Sequence, residues 1–232
     1  MADSNKRKKR NWKNITGHFL FVILLVSIVY TIIRIIMAPS EVTSSEPYIK
    51  IKSDYVLMLI QCILGLIVMM IPSVIERRLS IDIPNNMEVA YFVFLFCAIY
   101  LGEVRDFYYL IPHWDTILHA FSGAMLGALG FWLVSFLNDS SYINMHLSPF
   151  FIAMFAFCFA LAAGAIWEIY EYTCDGLLSL NMQKHTLKSG VPLVGRAALA
   201  DTMKDIIVDA LSALAVSVVG YYQLEEKDVN NT

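Results

Sequence analysis

Apolar residues run along this chain in long blocks separated by short polar gaps. Six blocks stand out, at roughly 16–37, 55–75, 87–104, 114–137, 149–172 and 200–222. A helix needs ~20 residues at ~1.5 Å each to cross the hydrocarbon core of a bilayer, and each block is close to that length. None alternates apolar and polar residues as a half-buried strand does, so the pattern predicts helices and argues against a β-barrel. The gaps are too short to hold a soluble domain. The longest, about 173–199, contains "GLLSLNMQKHTLKSGVPLVGR" and reads as a structured loop or a partly re-entrant segment. No internal repeat or inverted pair of broken helices is visible.

The expected fold class is therefore all-α, an integral membrane bundle of about six transmembrane helices. Its expected organisation is a basic tail at 1–14, three helices over 15–104, three more over 105–223, and a short polar tail at 224–232. Composition agrees: charged residues make up 16% of the chain and apolar residues 58%, with a mean hydropathy of +0.60. A soluble domain carries about 25% charged residues. That excludes an ordinary soluble enzyme or binding module and makes the lipid bilayer the first partner.

Orientation follows from the basic residues that flank the spans. Lys6, Arg7, Lys8, Lys9, Arg10 and Lys13 precede the first block, and such charge stays on the cytoplasmic side. With six spans, both termini are then cytoplasmic. The same charge explains the tail without a nucleic-acid partner. The first apolar run, Ile15 to Met37, exceeds the ~7–15 residues of a cleaved signal core, so it reads as a retained anchor. Cys62, Cys97, Cys158 and Cys174 are scattered with no C-x-x-C, which removes zinc-finger and disulfide-framework readings.

Ionisable residues inside spans are costly, about 2.5–3.5 kcal/mol each at a helix centre on insertion scales, so they usually face a protein interior. Here they gather on three helices. Asp115 and His119 are four apart in "WDTILHAFSG" and share a face, which Ser122 and Gly123 continue. Glu168, Glu171 and Asp175 lie in a narrow arc at the end of the fifth block, flanked by Trp167, Tyr170 and Tyr172. Asp201, Asp205 and Asp209 open the sixth, drifting ~40° per step over ~12 Å. Alternating topology places the start of block four, the end of five and the start of six in one leaflet, the outer one if the N-terminus is inside. The opposite leaflet is expected to hold almost no ionisable groups within the spans.

Three readings of this cluster remain open. It is a structural polar network, with Arg105, Arg196 or Lys188 as neutralising partners, leaving a membrane scaffold without catalysis. It is a site for a divalent cation, for which His119, Glu168, Asp201 and Asp205 supply one imidazole and several carboxylates suited to Zn²⁺, Mn²⁺, Fe²⁺ or Mg²⁺. Or it performs proton chemistry, as an acid–base centre acting on an envelope or lipid-linked ligand, or as a proton- or cation-coupled transport path. Asp209 lies too deep for a helix-end explanation and is expected to be paired or protonated.

The stretches "WDTILHAFSG", "WEIYEY" and "DTMKDIIVDALSAL" together resemble the YjdF-like family of small bacterial inner-membrane proteins, which has no assigned activity. More distantly the pattern is similar to VanZ-like proteins. The resemblance covers about 110–215 and picks out Asp115, His119, Glu168, Glu171, Asp201 and Asp205 as the candidate site. It implies a multi-pass protein of the bacterial inner membrane with a shared polar constellation. "GRAALADT" stands where the family pattern has T-Q-G-D before the last motif.

Overall fold

A computed structural model describes residues 12–40, 50–138, 146–187 and 191–230. Most of the basic tail, Lys188 and the last residues of the polar tail lie outside these. Every apolar block forms helix. The helices are α1 (Trp12–Met37), α2 (Lys52–Val68), α3 (Ile71–Leu79), α4 (Asn85–Leu95), α5 (Phe107–Leu110), α6 (Trp114–Asn138), α7 (Pro149–Leu178) and α8 (Arg196–Asn230). Five helical stretches are long and apolar enough to cross a membrane: 12–37, 52–78, 85–104, 114–138 and 149–178. No strand forms among the described residues, and one isolated bridge pairs Thr186 with Pro192.

Local chemistry sets the breaks. The second block bends at Met69 and Met70, just before Pro72, whose ring cannot donate to the preceding turn. α4 continues into a π-helical stretch, Phe96–Val104, closed by Arg105 N donating to Tyr100 O at 2.9 Å. π-Turns of this kind widen a helix and concentrate at functional sites. α7 starts on a Ser148 cap, whose hydroxyl accepts from Phe151 N, with Pro149 in the first turn.

Two halves pack differently. α1, α2 and α4 close on large side chains, with Leu20, Leu24, Met58, Cys62, Phe92 and Ile99 buried together. α6, α7 and α8 each pack on the other two through small residues. A Cβ on Gly127 would touch Ala213 of α8, and one on Gly130 would crowd Phe159 and Ala156 of α7. The glycine stripe of α6 is thus used within the chain, where close backbone approach substitutes for the hydrophobic drive that lipid removes. The seam between the halves runs along α6 against α4 and its π-helical continuation. Outward faces are apolar: Val22, Val26, Ile33 and Ile36 of α1 are exposed, as a lipid-facing surface requires.

One expectation changes. The end of the bundle away from the polar cluster does carry buried charge. Glu88, at the start of α4, is 1% exposed and ion-paired with Lys13 of α1, and Lys13 also reaches Glu76 of α3 at 3.3 Å. Lys13 stands two residues before the first apolar block, so the sequence pattern gives no sign that it folds back onto block three.

Candidate functional site

Asp115 and His119 stand one turn apart near the start of α6 and look toward α7 and α8. His119 is buried, and its Nδ1 lies 3.1 Å from Asp209 Oδ2 on α8. A carboxylate only accepts, so Nδ1 carries the proton and Asp209 sets the ring orientation. Ser122 Oγ donates to the other Asp209 oxygen at 3.2 Å. Two glycines make room for this pair. A Cβ on Gly164 of α7 would stand 2.5 Å from Asp209 Oδ2, and one on Gly123 would stand 2.9 Å from the Asp209 Cα. Asp209 is therefore paired, and it belongs to the site.

Nε2 is then the nitrogen that faces the rest of the site. Around it stand three carboxylates: Asp115 Oδ1 at 4.0 Å, Glu168 Oε1 at 3.9 Å and Asp205 Oδ2 at 3.9 Å. All three are too far for a hydrogen bond. Glu168 and Asp205 are 4% and 2% exposed; Asp205 Oδ1 has no hydrogen-bond partner, while Thr202 and Gln183 are placed to donate to the Glu168 carboxylate. Buried anions left unpaired cost several kcal/mol each, and here they also repel one another. A cation at Nε2, a proton or a metal ion, removes that conflict. One ligand atom from each of Asp115, His119 and Asp205 lies within 4.8 Å of the others. Two atoms bonded to one cation at about 2.0–2.2 Å lie at most about 4.4 Å apart, a limit met by the 3.9–4.0 Å contacts at Nε2.

The other predicted residues stand outside this ring. Asp201, one turn before Asp205, faces Lys184 Nζ at 3.6 Å. Glu171 accepts from Trp167 Nε1 at 2.9 Å, one helical turn back on the same helix. Asp175 organises the loop after α7: its carboxylate accepts from Met182 N at 2.7 Å and Gln183 N at 3.0 Å. That loop is ordered further by Gln183 Nε2 donating to Thr202 Oγ1 at 2.7 Å and by Asn181 bridging to Thr186. It thereby delivers Lys184 over the polar end of the site, where the ammonium pairs with Asp115. Burial pulls the Lys184 ammonium down, but Asp115 and Asp201 outweigh it and hold the group above the ordinary lysine range.

Arg105 and Arg196, the arginines expected to neutralise the cluster, are exposed. Lys184 takes that role toward Asp115 and Asp201. Nothing in the sequence singled it out, because it lies in a loop distant along the chain from both acids. Asp209 was legible as a member of the aspartate stripe, but its position between α6 and α7 was not.

A cavity of about 190 Å³ opens beside His119, walled by α2, α4 and its π-helical continuation on one side and by α6 and α7 on the other. Glu103, Tyr108, Asp115 and Glu171 stand at its polar end, and Gln61 of α2, itself buried, faces it. The N-terminal half therefore supplies one wall.

No solved structure matches the chain. A protein of Thermotoga maritima described as uncharacterized is 28% identical over 151 residues, covering 65% of this chain and 69% of its own length. The model of the family described as "Predicted membrane protein (DUF2238)" matches residues 19–226, and the chain belongs to that family.

Proposed function

We propose that this is a divalent-cation centre held inside a multi-pass membrane protein, acting on an envelope or lipid-linked ligand. His119 Nε2, Asp115, Glu168 and Asp205 are the ligand atoms' sources, and Asp209 is the orienting partner of the imidazole. The observation that carries this reading is the ring of three carboxylates 3.9–4.0 Å from Nε2, two of them buried and one, Asp205, with an oxygen that has no hydrogen-bond partner. A carboxylate bonded to the far nitrogen of a ligand histidine is the usual way a metal site sets its tautomer and raises its basicity. When bound, the ion supplies Lewis acidity and a bound water of lowered pKa. The chain itself supplies orientation through Asp209 and Ser122, a dry pocket, and Lys184 above it.

In this reading α8 is a sixth span, both termini are cytoplasmic, and the site opens toward the outer leaflet of a bacterial inner membrane. The resemblance of the sequence motifs to YjdF-like and VanZ-like proteins favours that location. A proton is the second occupant that the same ring accepts, which makes His119 an acid–base group. Binding of Mn²⁺ to detergent-purified protein decides between the two. One ion per chain is expected, lost in His119→Ala and weakened about 10–100-fold in Asp209→Asn, where only the orienting bond is changed. Wild-type protein that takes up no Mn²⁺, Zn²⁺, Fe²⁺ or Mg²⁺ would leave the proton reading in its place.

A further inference from the structure

The cavity beside His119 changes character along its length. Its polar end meets the acid–histidine ring. From there the wall is apolar: Leu64 and Val68 of α2, Phe94 and Ala98 of α4 and its π-helical stretch, Leu126 of α6 and Ala163 of α7. Asp115 and Leu126, both on its wall, are about 16 Å apart along α6 by the helical rise of ~1.5 Å per residue. The slot thus descends from the ring toward the middle of the apolar span. At about 190 Å³ it is little larger than the ~150 Å³ cavity that takes one benzene, so it has room for the first carbons of one hydrocarbon chain and not for two chains side by side.

We infer that this slot receives the first carbons of the single hydrocarbon chain of a lipid monophosphate, isoprenoid or acyl, whose phosphate meets the cation at His119 and the ammonium of Lys184. The inference rests on the cation reading above and names its ligand. A chain leaving the bilayer for an equally apolar slot gains little free energy. The slot's role is to let the head reach the buried ring without drawing the chain past charged groups. Binding is therefore driven by the head.

The choice of head follows from charge. Asp115, Glu168 and Asp205 alone repel any anion. With a divalent cation among them, and the Lys184 ammonium at the polar end, an oxyanion has two positive partners. Phosphate binding is accordingly cation-dependent. An amine head behaves the opposite way, because it competes with the cation for the same carboxylates.

The test is native mass spectrometry and equilibrium binding on the full chain in mild detergent, using dodecyl phosphate, farnesyl phosphate, dodecanol and dodecylamine, each with and without Mn²⁺. One dodecyl or farnesyl phosphate per chain is expected, and only with Mn²⁺; preference between the two distinguishes an acyl from an isoprenoid source. Ala163→Phe fills the slot from α7 and Ala98→Phe from the opposite wall. Each is expected to weaken phosphate-lipid binding about tenfold or more, the scale of an overpacking penalty, while Mn²⁺ still binds. Mn²⁺ uptake without phosphate-lipid binding overturns this inference alone, and absence of Mn²⁺ uptake overturns it together with the cation reading. Dodecanol binding as tightly as the phosphate, dodecylamine displacing Mn²⁺, or both filled-slot variants binding like wild type would each overturn it too.

Discussion

Two buried ionic clusters lie in this protein, and they are built on opposite terms. At one end of the bundle, Glu88 is almost fully buried but meets Lys13, which also holds Glu76. There the chain itself supplies a cation in contact with the buried acid, one lysine serving two carboxylates. Around His119, Asp115, Glu168, Asp205 and Asp209 crowd one imidazole, and Lys184 attends to the rim, pairing with Asp115 and Asp201. Burial of acids is common to both clusters; what differs is whether the chain supplies the compensating cation. The matched cluster joins α1, α3 and α4 and is explained by packing. The unmatched one is costly as it stands, and the proposed cation would offset that cost.

The largest effect should come from breaking the matched cluster. Lys13→Met leaves Glu88 buried without its partner. We expect it to destabilise by about 2–3 kcal/mol, below the range for a fully buried pair because Lys13 is partly exposed. Thermal unfolding in detergent measures this, and replacing both residues, as Lys13→Met with Glu88→Leu, should recover most of the loss. The unmatched cluster predicts the reverse sign. Asp205→Asn removes a repelling charge and should stabilise the cation-free protein by about 1 kcal/mol, raising Tm by about 2–4 °C. Its Mn²⁺ affinity should nevertheless collapse. If Asp205→Asn instead destabilises as Lys13→Met does, the two clusters are alike and the ring is structural.

A smaller effect sharpens the contrast at the rim. Lys184→Gln should loosen the 179–187 loop by about 1 kcal/mol, read as faster amide exchange there. The pH dependence has a definite sign. A lysine held above its unfolded value contributes fully at pH below that unfolded value and loses the contribution only as pH rises through the raised one. Loop protection should therefore stay flat through neutral and mildly alkaline pH and fall only at strongly alkaline pH, with no such fall in Lys184→Gln.

Much of this was legible along the chain. The apolar blocks forecast where helices form, because a run without alternation in a chain this poor in charge has few other options. Asp115 and His119 were paired by helical spacing, which is local geometry. Glu168 and Asp205 joined them through alternating topology, which needs only the order of the helices. Asp201 and Glu171 satisfied the same arguments, yet in the structure one pairs with Lys184 and the other with Trp167. Periodicity fixes the face a residue takes but not its depth or its partner.

What the sequence by itself determined is the membrane class, the helices and the clustering of acids with one histidine, since these follow from hydropathy and helical period. Tertiary structure alone decided which atoms meet. Asp209 reaches His119 because glycines at 123 and 164 leave its carboxylate the space between α6 and α7. Lys184 reaches Asp115 because Asp175 and Gln183 fold the loop back over α8. The apolar wall of the cavity comes from α2 and α4, distant in sequence from every polar site residue. Contacts of this range depend on how helices pack, and packing is set by side-chain volumes summed over the whole interface, which no local pattern encodes.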